Sequence, residues 1–262
     1  MGWGAMEQGL REQFRQLEAL REEGFLTLET LADSGRDFKR NYKLSPPTAI
    51  CALKDWKNEN RAAIWYMSRF QRLGFLVENG QLYLRDWQLY DEGYPEPYLD
   101  SVCTETSCNY DALPLMDGFR WKRSGNALSE FGAPLRPVPL PSSIGFLVEG
   151  GKGRIGKVTE AERKELSIEW QDDSGTTLII CSERGLRFDF PDGRHTLHML
   201  YDDAEAEGTL VQFTPSAVRY EHNGNIYKVT VDEGKIDMEK RAFVPKGNVL
   251  VLTPTTCPST AS

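Results

Sequence analysis

The stretch of this sequence nearest to a ligand-binding motif is Gly151-Lys152-Gly153-Arg154-Ile155-Gly156-Lys157-Val158. It satisfies G-x-G-x-x-G and the G-x-x-x-x-G-K part of a P-loop. Both templates turn backbone N–H groups toward phosphate oxygens where a helix begins. Val158 stands where a P-loop needs a hydroxyl for Mg²⁺, and too few residues follow for a crossover helix before the strand-like Leu166–Trp170. The spacing therefore predicts two antiparallel strands, Arg154–Glu160 and Leu166–Gln171, with Lys152, Arg154 and Lys157 as an anion-binding edge. A nucleotide-binding enzyme using residues 151–157 stays as an alternative. His195-x-x-His198, with Asp202 nearby, would place its rings on opposite faces of a strand, so no metal is expected, nor any other cofactor. No serine lies in G-x-S-x-G and no cysteine has a nucleophile context, so no catalytic residue is assigned and an enzyme is not the expectation.

A second constellation is cationic. Arg61, Trp65, Arg69 and Arg72 fall at i, i+4, i+8 and i+11, one face of a helix. A row of guanidiniums around an indole suits phosphates and base faces. The chain carries a net charge of −8, which opposes bulk affinity for polyanions, but the charge is segregated. Residues 34–85 hold 10 basic and 4 acidic groups; residues 86–118 hold 8 acidic and no basic ones. Either the arginines pair with the acidic block, or that block covers a nucleic-acid-binding face until a partner displaces it.

Helical spacing of Met6, Leu10, Phe14, Leu17 and Leu20 predicts an amphipathic helix ended by Gly24, with a short second helix over 26–32. Ser45-Pro46-Pro47 reads as a helix start, and the spacing of Ile64, Met67, Phe70 and Leu73 continues that helix to Gly74. Asn79-Gly80 then predicts a two-residue hairpin. After the stiff, proline-rich 133–143, strands dominate, among them 145–148, 166–170, 176–181, 209–213, 226–231 and 249–252.

The run Ser68-Arg69-Phe70-Gln71-Arg72-Leu73-Gly74-Phe75-Leu76-Val77, with its Asn79-Gly80 tip, resembles the recognition helix and wing of a winged-helix domain over residues 44–85. The strand pair after the glycines resembles a turn of an SH3-like barrel. The expected fold class is α+β: a helical, winged-helix-like domain at 1–87, an acidic then proline-rich connector at 88–143, a β-rich barrel- or sandwich-like domain at 144–252, and a disordered tail at 253–262. The expected function is a non-enzymatic, nucleic-acid-associated adaptor using Arg61, Trp65, Arg69 and Arg72, with a protein partner. The alternative is a protein-interaction or assembly component that binds no nucleic acid. No apolar run reaches the roughly 18–20 residues that span a bilayer. Five cysteines without a C-x-x-C pair point to a reducing, cytoplasmic setting.

Overall fold

Two helices open the chain, the first resting on its apolar period and a glycine stop, the second on a threonine cap. In the computed structural model, residues 3–55, 57–93, 98, 101–104, 113–117, 145–148, 152–161, 164–200, 209–222 and 225–256 are described. Helix α1 spans Trp3–Glu22. Gly24 ends it in the left-handed conformation (φ +79°), while Phe25 N–H reaches back to Leu20 O at 2.9 Å and Gly24 N–H to Arg21 O at 3.0 Å. Helix α2 runs over Leu31–Asn41, later than the expected 26–32. Thr30 caps it, its hydroxyl accepting from Asp33 N–H at 3.2 Å. Asp33 in the first turn and Lys39 and Arg40 in the last complement the helix dipole. Residues 1–45 form a unit separate from the β-rich body.

The body is built from two antiparallel sheets. Among the described residues, the first contains β1 (Thr48–Ala52), β2 (Ala62–Met67), β3 (Gln71–Glu78), β4 (Gln81–Leu89), β5 (Leu113–Asp117) and β6 (Gly145–Val148). It continues through β11 (Leu197–Leu200), β15 (Lys235–Asp237) and β16 (Ala242–Val244). Its order is β1-β2-β3-β4-β6-β11-β16-β15, with β5 beside the end of β4. The second sheet holds β7 (Arg154–Ala161), β8 (Glu165–Asp172), β9 (Gly175–Ser182) and β10 (Gly185–Asp189). To these it adds β12 (Thr209–Thr214), β13 (Ala217–His222), β14 (Asn225–Glu233) and β17 (Val249–Thr256), in the order β12-β13-β14-β17-β10-β9-β8-β7. Alternation places Ile64, Tyr66, Leu73 and Leu84 of the first sheet and Ile168, Trp170, Ile179 and Leu250 of the second in one buried cluster. The protein is α+β, with a sandwich-like β part.

Four expectations are corrected here. Residues 45–73 are not a helix: Pro46 and Pro47 lead into β1, Asn58 and Asn60 turn the chain with φ of 56° and 57°, and β2 and β3 follow. In β2, Ala62, Ile64 and Tyr66 are buried while their neighbours are half-buried, a two-residue period. Without a helix before the hairpin, the winged-helix resemblance has no recognition element. The hairpin itself forms, with Asn79 and Gly80 at φ 55° and 74°. Secondly, the boundary after residue 87 fails, because β1–β4 share a sheet and a core with the C-terminal strands; β4 and β5 also draw residues 88–89 and 113–117 out of the supposed connector. Thirdly, β17 carries residues 253–256 of the supposed tail into the sheet. The β7–β8 pair lies at the edge of an open eight-stranded sheet and closes no SH3-like barrel. The proline-rich 133–143, the acidic 202–207 and the tail from 257 onward lie outside the described residues.

Candidate functional site

Strand geometry separates the four residues that a helix would have aligned. Arg61 precedes β2, Trp65 is in β2, Arg69 is in the β2–β3 turn and Arg72 is in β3. Each arginine meets carboxylates of the body. Arg61 pairs with Glu78 at 2.7 Å and Glu59 at 3.1 Å. The Arg69 Nε donates to Glu92 at 2.9 Å, and its guanidinium lies 4.9 Å from the Phe70 ring centre. Arg72 grips Asp86 through Nε at 2.8 Å and Nη2 at 3.0 Å, and Asp86 is only 1% exposed. The Trp65 ring stands 5.5 Å from the Arg72 guanidinium and crowds Gly74, where an added Cβ would meet it at 2.9 Å. Glu92 and Asp86 belong to the acidic block, so two of the three arginines are neutralised by it, as the pairing alternative requires.

Gly153 and Gly156 have a packing reason. A Cβ at Gly153 would lie 2.5 Å from the Gln171 carbonyl and 2.6 Å from the Trp170 ring; at Gly156 it would lie 2.4 Å from Gln171 Nε2. β7 lies tightly beside β8 at a bulge between Ile155 and Val158, and among the described residues no helix follows to present N–H groups to phosphate. Gly153→Ala must displace strand backbone and is expected to destabilise by about 1–3 kcal/mol whether or not nucleotide is present, as read by chemical denaturation. An unchanged midpoint would contradict this packing account.

Three loops nevertheless meet beside these glycines. Gly153 N–H donates to Gly80 O at 2.8 Å, tying the β3–β4 tip to the start of β7. The β1–β2 loop faces the same groove of about 420 Å³, lined by Leu53, Lys54, Arg61, Val77, Arg154 and Ile155 among others. Asp55 organises that loop: its carboxylate accepts from the N–H groups of Lys57 (2.9 Å), Glu59 (3.0 Å) and Arg61 (2.9 Å). Those bonds, Arg61's foremost, hold its carboxyl below the usual range. Of Lys152, Arg154 and Lys157, only Arg154 lines the groove. Nothing in the sequence singles out Lys54; only the closing of the loop onto β7 reveals it.

Of the candidate set His195, His198 and Asp202, the last lies outside the described residues. His195 is buried, its Nδ1 2.9 Å from Asp192 Oδ1, and its ring stacks on Phe190. Among the described residues no group of three or more His, Cys, Asp or Glu could hold a metal ion.

The N-terminal unit offers another kind of site. Among its described residues, Gly4 to Ser45 contain no buried side chain. Met6, Phe14, Leu17 and Leu20 lie along α1 and Phe38 on α2, all exposed, with Phe14 at 65% and Leu31 at 92%. The polar face of α1 is internally paired, Glu7 with Arg11 at 2.7 Å, Glu12 with Arg15 at 3.6 Å, and Glu18 with Arg21.

No helix of the described residues is long and apolar enough to cross a membrane. No model of a known protein family matches the sequence, and no curated protein matches it. Among solved structures, the chain is similar to an active YidC insertase crystallised with its first transmembrane domain resolved, at 10% identity and a TM-score of 0.40. The likeness covers 81% of this chain and 41% of that one.

Proposed function

We propose that this chain is a protein-interaction or assembly component that docks through its N-terminal amphipathic helix. The observation carrying this reading is the row Met6, Phe14, Leu17 and Leu20, exposed on a helix whose unit buries no described side chain. An amphipathic helix of this length draws most of its stability from burying its apolar face, and an isolated one is marginal in water. Its natural counterpart is an apolar groove on a protein, the helix-in-groove mode. Residues 1–33 carry 7 acidic and 3 basic groups, which favours a groove with a basic rim and disfavours an anionic lipid surface. The nucleic-acid reading keeps less support, because Arg61, Arg69 and Arg72 are each engaged by carboxylates.

Full-length protein and the double variant Phe14→Glu/Leu17→Glu should be compared by crosslinking in the cells that make it. The expected result is a stoichiometric protein partner crosslinked to residues 7–22 and lost in the variant, with thermal unfolding of the body unchanged. Equal recovery of the same partners by both proteins would overturn the reading. Salt-sensitive binding of both proteins to a random DNA duplex would return the case to nucleic acid.

A further inference from the structure

The groove between the β1–β2 loop, the Asn79-Gly80 tip and the start of β7 has the opposite electrical sign to the chain as a whole. Lys54, Arg61 and Arg154 line it against a single carboxylate, Asp55, in a protein of net charge −8. Arg61 is answered by Glu59 and Glu78. Lys54 and Arg154, both exposed, have no carboxylate within ion-pair distance among the described residues. Asp55 directs both its oxygens to backbone N–H groups of its own loop. Two cations are thus left to act on whatever enters, and low-dielectric walls concentrate their field. Those walls are apolar: Leu53, Ala62, Val77 and Ile155.

The groove is also preorganised. Asp55 fixes the loop from Lys57 to Arg61 through three hydrogen bonds, with Asn58 and Asn60 in left-handed conformations. The Gly153–Gly80 bond fixes the opposite side, where Gly80 takes a left-handed φ of 74° and a Cβ on it would sit a tight 3.2 Å from Lys152 Cβ. A volume near 420 Å³ falls within the range of small-molecule sites. Rigid walls reduce the ordering penalty of binding.

We infer that this groove binds a small organic anion, a phosphate or carboxylate carried on an apolar body, with Lys54 and Arg154 holding the charge and Leu53, Val77 and Ile155 covering the body. The site is independent of the helix that carries the docking reading, and either can fail without the other. Its organisation also differs from a glycine-loop nucleotide site, since the anion is met by side chains rather than by a helix N-terminus.

The test is titration of the full-length protein by heteronuclear NMR with phenyl phosphate, benzoate, inorganic phosphate and benzyl alcohol. Phenyl phosphate or benzoate should bind saturably, shift the amides of residues 53–61, 79–80 and 153–156, and bind about tenfold more tightly than inorganic phosphate or benzyl alcohol. Which of the two binds better identifies the anion. Lys54→Glu/Arg154→Glu should weaken that binding at least about tenfold at low salt while leaving the melting temperature unchanged, both side chains being exposed. Binding of equal strength in the charge-reversed protein, shifts confined to other regions, or no saturation by either aryl anion up to about 10 mM (a free energy below about 3 kcal/mol) would each overturn the assignment.

Discussion

Gln71→Leu is expected to lower the stability of the body by about 3–5 kcal/mol, a large fraction of a typical domain's margin. Gln71 is fully buried at the start of β3, and its amide joins the two sheets. Nε2 donates to Ser182 O at 2.7 Å and to Gly185 O at 3.2 Å in the β9–β10 turn, while Oε1 accepts from the indole N–H of Trp87 at 2.8 Å. Ser68 adds a parallel tie, its hydroxyl donating to Glu183 O at 3.0 Å. Leucine matches the side chain in size, so the loss is one of hydrogen bonding rather than of volume. It strands a buried indole N–H and leaves two half-buried carbonyls short of a donor, at about 1–3 kcal/mol per group, partly relieved because Ser182 Oγ also reaches Gly185 O at 3.3 Å. At roughly 2–4 °C per kcal/mol for a body of this size, the melting temperature should fall by about 6–20 °C. A change under about 1 kcal/mol in urea unfolding would mean that the amide is not what joins the sheets.

That bridge explains what can be read from the sequence and what cannot. Helix α1 is legible because Met6, Leu10, Phe14, Leu17 and Leu20 repeat at a period no strand can use. The Asn79-Gly80 hairpin is legible because a type of turn with two positive φ values selects those residues. Strands β6, β8, β9, β12, β14 and β17 are legible from β-branched and aromatic runs between turn residues. The segment 45–73 imitates a helix because Ile64, Met67, Phe70 and Leu73 happen to recur at threes, although only Ile64 and Leu73 of the four are buried. The signal for strands is present in Ala62-Ala63-Ile64-Trp65-Tyr66-Met67, a short unbroken apolar run after an Asn-rich turn, which a half-exposed helix would not show. Thr30-x-x-Asp33 likewise marks the start of α2. The backbone partners of Gln71 lie 111 to 114 residues away, and Lys54 shares its groove with Arg154, a hundred residues on in β7. Such pairings are set by sheet stacking, so no local pattern in the chain announces them.

Replacing Arg72 by methionine separates the structural account of the cationic residues from the nucleic-acid one. Asp86 on β4 is 1% exposed and takes two hydrogen bonds from Arg72; its other donor, Gln88 Nε2, is 3.4 Å away. Trp65 stacks beside the guanidinium and closes over Gly74, helping to exclude water from the pair. Arg72→Met therefore leaves a carboxylate desolvated and uncompensated, expected to destabilise by about 3–5 kcal/mol. Arg72→Met with Asp86→Leu removes both charges and should recover most of that loss, since apolar substitutes for a buried ion pair are often close to neutral. The cycle completed by Asp86→Leu alone should give a coupling of about 2–3 kcal/mol in urea unfolding. If Arg72 instead served a polyanion, Arg72→Met would leave unfolding unchanged and weaken duplex binding with a smaller salt dependence. Arg72→Lys sharpens the contrast: a lysine keeps the charge a phosphate needs but cannot make the two-pronged contact with Asp86, so it should destabilise the fold while sparing any binding that depends on charge alone.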